Sequence, residues 1–595
     1  MLNSGKTFAE KVLGAPVGTI VFRKPDLVLS HDNTASIENI FRKMNGTRLF
    51  DAGRLVITLD HNAPPTNVKL ANDYQLIRRF ARSEGITRFH DSGEGICHQL
   101  MALYARPGML ITGSDSHTCT AGAFNAFATG VDRTETAGLW KAGETWFRVP
   151  ETLKIVLNGQ LPPEVYAKDL VLTIIGMIGA DGADYLSVEF HGDGVRTLTI
   201  DDRMTIANMA SEMGAKNAVF PADAVLQQFL GEECPGVWSD EDAIFKKELH
   251  IDLSNLFPVL ACPHQVDQVR AVAEIGEVPV GEALIGTCTN GRLSDLRTAA
   301  SILRGHKVAE GVQLLVIPAS REIFLQAIRE GIVETLTEAG ASILSASCGP
   351  CLGTGQGIPA DGINVISSAN RNFPGRMGNP KASVYLASPS TVAHSAITGK
   401  ITSPSLRKNA VFQTGRKETT STSIDREDLR RFNGVWDYRE VNNLNTDQMF
   451  AGNLTYEISS AEPRKIIPHL FKGFDDHFSG MAEKGDVLLC GENFGCGSSR
   501  EHPSVGLVAL GIRAVIARSV GRIFFRSAIN QGLPVIVLPE VLDVYQRGDQ
   551  ITVFPAEGKI FVGDKVLTFN PLPDKLLEIL EKGGLVNAMR EKNKE

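Results

Sequence analysis

The chain has 595 residues, 43% apolar and 22% charged, with a net charge of −8 at pH 7. That is ordinary globular composition, too long for one core, so about three or four domains are expected. The mild acidic balance argues against a nucleic-acid protein, which would carry a basic face. No apolar run reaches membrane-spanning length, and the first residues read as neither a signal peptide nor an organelle presequence, so a cytoplasmic protein is expected. In that compartment nine cysteines are not expected to form a disulfide framework, which makes metal or cluster ligation the first question.

In chain order, strands are expected at 54–59, 109–112 and 314–317, with helical spacing over 67–85 and 320–340, each closed by a glycine. Alternation of this kind predicts α/β layers with largely parallel sheets. At 401–440 the chain turns polar and then densely charged, which predicts an interdomain linker. Strands at 486–490 and 513–517 and a helix near 520–531 follow, in a region of one-domain size.

Among the cysteines, Cys348-Gly349-Pro350-Cys351 is a C-x-x-C pair, and Cys288 lies in Gly286-Thr287-Cys288-Thr289-Asn290. The pair alone fits a redox couple, half of a zinc site or two buried thiols. Pro350 with Gly349 and Gly353 predicts a fixed turn whose amides could face inorganic sulfide. Three cysteines on a four-iron cube would leave one iron open as a Lewis acid; around zinc they would need a fourth ligand.

Here the chain resembles the aconitase superfamily. Cys288 in T-C-T-N and the C-G-P-C pair resemble its cluster motif, and Asn370-Arg371-Asn372-Phe373-Pro374-Gly375-Arg376 its N-R-N-F-x-G-R segment. Asp115-Ser116-His117-Thr118 resembles the D-S-H-T loop, Asp60-His61 the D-H motif, and Gly497-Ser498-Ser499-Arg500-Glu501-His502 the G-S-S-R-E-H loop. The resemblance implies an α/β protein with three α/β/α domains around an Fe–S cluster and a C-terminal swivelling β/α domain. The expected boundaries are 1–285 for domains 1 and 2, 286–400 for domain 3 with the cluster cysteines, 401–440 for the linker and 441–595 for the swivelling domain.

The resemblance also implies the chemistry: a hydro-lyase that dehydrates and rehydrates a hydroxy di- or tricarboxylate at one [4Fe–4S] cluster per chain, held by Cys288, Cys348 and Cys351. Removing a proton beside a carboxylate requires a strong base and concentrated positive charge. Ser498 matches the family's base. Asp60 and His61 match the pair that protonates the leaving hydroxyl, and Asp115, His117, His98 and Glu189 match the partners around the iron-bound water. Arg371, Arg376, Arg500, Ser499, Ser116 and His31 are expected to bind substrate, and Asn290 to donate hydrogen bonds near the cluster.

Ser30-His31-Asp32-Asn33-Thr34 and His90-Asp91-Ser92-Gly93-Glu94-Gly95-Ile96-Cys97-His98-Gln99 look closer to the isopropylmalate-isomerase branch than to aconitase. The segment Asn445–Tyr456 lacks the usual proline and offers no arginine for a third carboxylate. Arg464 is near only in sequence, and Leu454 and Tyr456 lean apolar. The expected substrate is therefore isopropylmalate-like, with aconitate or homoaconitate as the runner-up. Asn125 and Asp132 stand where relatives commonly have glycine. From another class, a catalytically silent RNA-binding cluster sensor is disfavoured by the acidic balance and the intact Ser498, His61 and Asp60. With both parts fused, neither a separate small subunit nor a nucleic-acid or membrane partner is expected.

Overall fold

The computed structural model describes residues 5–402, 430–497 and 500–591. Four open sheets, each with a largely parallel core, follow one another along the chain, with helices on their faces. The first has the order Arg88–His90, Leu55–Thr58, Leu27–Ser30, Leu110–Gly113, Phe127–Gly130, all parallel. Its four central and distal strands are buried along their whole length, because helices cover both faces. That double cover is why these strands read as continuous apolar runs.

The strand order reverses beside Leu27–Ser30, whose neighbours Leu55–Thr58 and Leu110–Gly113 leave in opposite directions along the sheet. Loops diverge at such a point and leave a crevice at the carboxyl ends of the strands. His31–Asn33, Asp60–Asn62 and Asp115–His117 all emerge there.

A second, four-stranded parallel sheet runs Asn217–Val219, Ser187–His191, Thr152–Asn158, Lys247–Asp252. The third has seven strands and includes Val259–Ala261 and Val269–Ala271, an antiparallel pair docked against Ser383–Ala387. Domain 3 therefore begins before residue 286, the boundary expected from the sequence. Its strand Glu282–Ile285 leads into Cys288, Ser342–Ile343 towards Cys348, and Asn364–Ser367 into Asn370 and Arg371.

The fourth sheet, Arg431–Phe432, Val435–Tyr438, Val487–Cys490, Ala514–Ala517, Val535–Val537, starts inside the stretch expected to be linker. Val435–Tyr438 pairs residue for residue with Val487–Cys490, so the C-terminal domain begins by 431; residues 403–429 of that stretch lie outside the described residues. After a three-stranded antiparallel sheet, the chain turns back to the first domain. Leu576, Ile579, Leu585 and Ala588, from the helices Asp574–Glu581 and Leu585–Glu591, share a core with Tyr74, Phe80 and Trp140.

A buried polar seam completes the docking. Arg526, on the helix Arg522–Gln531, pairs with Glu135 of the helix Arg133–Ala142, both essentially without solvent. The Arg526 guanidinium also lies over the Trp146 ring at 3.6 Å. Among the described residues, no helix is long and apolar enough to cross a membrane.

Candidate active site

The turn 60–62 is fixed by the residue that follows His31. The buried carboxylate of Asp32 accepts from the backbone amides of Asp60 (2.9 Å), His61 (3.2 Å) and Asn62 (2.8 Å), and from the Tyr74 hydroxyl (2.9 Å). Asp60 in turn accepts from the Cys97 amide at 2.7 Å and meets His61 Nδ1 at 2.9 Å. Burial by itself would raise Asp60, but the adjacent His61 outweighs it and holds the carboxyl below its usual range.

His61 Nε2 faces Asp115 at 3.3 Å, and the other Asp115 oxygen meets His98 Nε2 at 2.8 Å and the His117 amide at 2.7 Å. Burial opposes a charge on His61, yet Cys348, Asp60 and Asp115 together raise its pKa well above the ordinary imidazole value. Asp115 is held well below the carboxylate range against its burial, with His98 the largest of the lowering influences.

His31 stacks on His61, ring centroids 3.7 Å apart. Burial, then the neighbouring His61 charge, push His31 down to about 3, so the pair is one cation on one neutral ring. Asn33 Nδ2 lies 2.8 Å from His31 Nε2, which leaves the proton of the neutral ring on Nδ1, and Nδ1 has no partner among the described residues.

The third domain meets the first at this turn. The amides of Cys348 and Gly349 donate to the carbonyls of Asp60 (3.2 Å) and His61 (3.3 Å). Asn208 Nδ2 lies 3.4 Å from Cys288 Sγ, while Asn370 reaches Cys288 through Nδ2 (3.7 Å) and Cys351 through Oδ1 (3.8 Å). Burial pushes Cys288 up to about 11 and Cys348 up to about 12, so a cation must join them before they become thiolates. Arg376 NH2 sits 3.8 Å from Cys351 Sγ, and its Nε, like the whole Asn62 side-chain amide, is buried without a partner among the described residues. Three soft sulfur donors, amides directed at them and unpartnered polar atoms around them fit a thiolate-bound iron group. All nine cysteines are free.

Arg371 donates Nε to both oxygens of Glu212 (3.0 and 2.9 Å) and NH2 to Ser116 Oγ (3.1 Å) and the Gly497 carbonyl (3.3 Å). Glu212 also accepts from His117 Nε2 at 2.9 Å. Burial would raise Glu212; Arg371 is the largest opposing influence, and the carboxyl falls to about 2. Beside this group opens a cavity of about 470 Å3 between the second, third and C-terminal domains, lined among others by Arg371, Arg522, Asn445, Gln448 and Cys496.

Several expectations change. Glu189 lies mid-strand in the second sheet, where it accepts from the Phe8 amide (3.0 Å) and the Ser239 hydroxyl and contacts His191 (3.2 Å). It therefore anchors the first helix, and Glu212 supplies the carboxylate beside His117 instead. Asn290 donates to Asp295 (3.0 Å) and Thr205 (3.4 Å) rather than to sulfur. Arg500 is held by Asp447 at 2.6 Å and the Phe450 carbonyl at 3.1 Å. Arg464 is exposed, and Leu454 packs against the C-terminal domain's own core. Ser498 and Ser499 lie outside the described residues.

Sequence reasoning missed Asp32, Asn208, Glu212 and Arg522, and also Lys168. Buried beneath the site, Lys168 donates to the Ser368 carbonyl (2.9 Å) and to that of Ala369, and burial lowers it to about 7. Of these, only Asp32 had a sequence signal, its place directly after His31.

Residues 8–278 and 268–399 match the model of the aconitase family (aconitate hydratase), and 411–540 that of the aconitase C-terminal domain. The 3-isopropylmalate dehydratase large subunit 1 of Methanopyrus kandleri is 44% identical over 413 residues, 67% of this chain and 99% of that protein. The mitochondrial homoaconitase of Debaryomyces hansenii is 33% identical over 631 residues, covering 96% of this chain and 91% of that one. A solved 3-isopropylmalate dehydratase (leuD) from Methanocaldococcus jannaschii is 34% identical over 26% of this chain and 89% of its own, at a TM-score of 0.23.

These relatives correct the expectation about partners. Relatives that cover about two thirds of the chain, 67% in these two, are named as large subunits, so setting a second subunit aside is not general among them. What the similarity supports is a fused arrangement, as in the homoaconitase. With both family models matched in order along one polypeptide, the chain belongs to the aconitase family of hydro-lyases.

Proposed function

We propose that this hydro-lyase works at a [4Fe–4S] cluster on Cys288, Cys348 and Cys351, and that its substrate is a hydroxy-dicarboxylate of the isopropylmalate kind. The observation that carries the reading is the convergence of the His61–Asp115–His98 relay, the Arg371–Glu212 pair and the three cysteines on one crevice. When bound, the cluster supplies Lewis acidity towards the substrate hydroxyl through an iron without a cysteine.

The chain's own residues then divide the work. His61, kept charged and oriented between the carboxylates of Asp60 and Asp115, gives its proton to the departing hydroxyl. Arg371 and Arg376 present donors to the substrate carboxylates, and Arg371 is aimed by Glu212. Ser498 takes the proton beside a carboxylate, with Arg500 close in sequence to receive the negative charge that develops. His31 Nδ1–H offers a further donor to the substrate.

A second reading, a tricarboxylate such as citrate or homocitrate, has its own observation. Part of the cavity wall is formed by Asn442, Asn443, Asn445, Gln448, Asn493 and Arg522, together with apolar Val266, Phe373 and Ile523, while Leu454 packs on the domain's core. The carboxamides and Arg522 could receive a charged third group. Turnover of isopropylmalate, dimethylmalate, citrate and homocitrate by anaerobically reconstituted protein decides. The first reading expects isopropylmalate to give the highest kcat/KM; turnover confined to the tricarboxylates replaces it with the second.

A further inference from the structure

The helix Arg133–Ala142 follows the last strand of the first sheet, so its N-terminus stands on the same sheet edge as the acid–base residues. Gly113 and Gly130 pair in register on adjacent strands, which makes Asp115 and Asp132 equivalent positions two residues further on. The approach there is tight: a Cβ on Gly130 would come within 2.5 Å of the Asp115 carbonyl oxygen.

A helix N-terminus leaves its first amides without partners, and one capping side chain ordinarily serves the second or third of them. Here two carboxylates share the task, one from each domain. Asp132 accepts from the Glu135 amide at 2.6 Å. Glu501 of the C-terminal domain accepts from the Thr134 amide (3.2 Å) and the Thr134 hydroxyl (2.7 Å), with 1% of its surface exposed. Gln531 donates to the same hydroxyl at 2.9 Å, and Asn530 donates to Asp132 at 3.0 Å.

Adhesion alone does not account for the arrangement. Burial and then the nearby Glu501 push Asp132 up to about 7, so the two carboxylates repel each other across the seam. What Glu501 adds is direction. It adjoins Arg500, and the described chain on the other side of the intervening serines is tied down as well, through the Gly497 carbonyl and Arg371.

We propose that Glu501 is a positioning residue for the hydro-lyase reaction: by capping the Arg133–Ala142 helix from the C-terminal domain, it sets Arg500 in register with the acid–base group of the first domain. The kinetic side of this rests on the function proposed above; the interdomain cap does not.

The test uses the cluster-loaded full chain and the variants Glu501→Ala, Glu501→Gln and Thr134→Val. A misplacement of about 1 Å at reacting groups costs on the order of 10²-fold in rate. Glu501→Ala is therefore expected to lower kcat roughly 10- to 100-fold while KM, set by the arginines of the third domain, stays within about threefold. Glu501→Gln keeps an acceptor and removes the repulsion with Asp132, so it should recover most of kcat; Thr134→Val should lose activity without adding to the Glu501→Ala loss. Hydrogen exchange of the segment 133–136 should quicken in Glu501→Ala and not in Glu501→Gln. An unchanged kcat in Glu501→Ala, equal movement of kcat and KM, or a Gln variant no better than Ala would overturn the positioning role. If the wild type turns over no hydroxy acid, the functional reading falls, while exchange at 133–136 still decides the cap: unchanged exchange in Glu501→Ala removes it.

Discussion

Glu212→Gln is a demanding perturbation, because Glu212 joins the acid–base group to the carboxylate clamp. Its carboxyl falls from the ordinary 4.5 to about 2, with Arg371 the largest cause against burial. A shift of that size corresponds to about 3 kcal/mol of native-state stabilisation at neutral pH. The side chain is only 8% exposed, so solvent screens little of it. Because the folded pKa is depressed, the contribution is complete above 4.5 and is lost as the pH falls through 2. By the same linkage it shrinks to less than half of that at pH 3. The glutamine variant keeps an acceptor but no charge, leaving Arg371 buried beside a neutral partner. The assay is the denaturant midpoint of the transition that exposes the site, wild type against variant, at pH 7 and pH 3. The variant should be less stable by about 3 kcal/mol at pH 7 and by less than half of that at pH 3. Equal stability at pH 7, or a gap that persists unchanged at pH 3, would refute the pairing.

The interdomain seam and the cysteines give two further expectations. Arg526→Met leaves Glu135 buried without its cation, a change worth about 3–5 kcal/mol, and should expose the C-terminal domain to limited proteolysis; Glu135→Leu in the same chain should restore most of the resistance. Protection unaltered in the single variant would show that the pair does not hold the domains together. Cys351→Ser should retain markedly less iron than wild type after anaerobic reconstitution, and equal iron per chain would remove it from the ligand set.

Much of the fold was legible because buried parallel strands are written as apolar runs. The strands expected at 54–59, 109–112 and 314–317 stand as Leu55–Thr58, Leu110–Gly113 and Gln313–Val316. The helical spacing over 320–340 becomes two helices, Arg321–Arg329 and Ile332–Ala339. Gly331 between them has φ of 70°, a break that a continuous apolar period hides. Boundaries were less legible where strands pair across long separations. Val259–Ala261 joins Ser383–Ala387, and Val435–Tyr438 joins Val487–Cys490, pairings that no local pattern announces.

The site divides in the same way. His61, Asp115, His98, Arg371 and the cysteines stand in short motifs, which is why the sequence singles them out. Glu212 becomes visible only when the chain folds, since it lies 159 residues from the arginine it pairs with. Glu189 carries the right charge in a suggestive setting, yet its strand turns it towards the first helix. Asp32 works by accepting three successive amides, a role that leaves no signature in residue spacing.

The central claim is that one crevice brings proton transfer from this chain's residues to a substrate held at a cysteine-bound cluster. Anaerobically reconstituted wild type and Ser498→Ala, assayed side by side for formation of the unsaturated acid with the visible cluster spectrum recorded on the same samples, test it most directly. The account predicts turnover by the wild type and at least a 10³-fold lower rate in Ser498→Ala, of the order expected for losing an essential proton-transfer group, with both spectra alike. Full activity in Ser498→Ala, or turnover by protein that carries no iron, would contradict it.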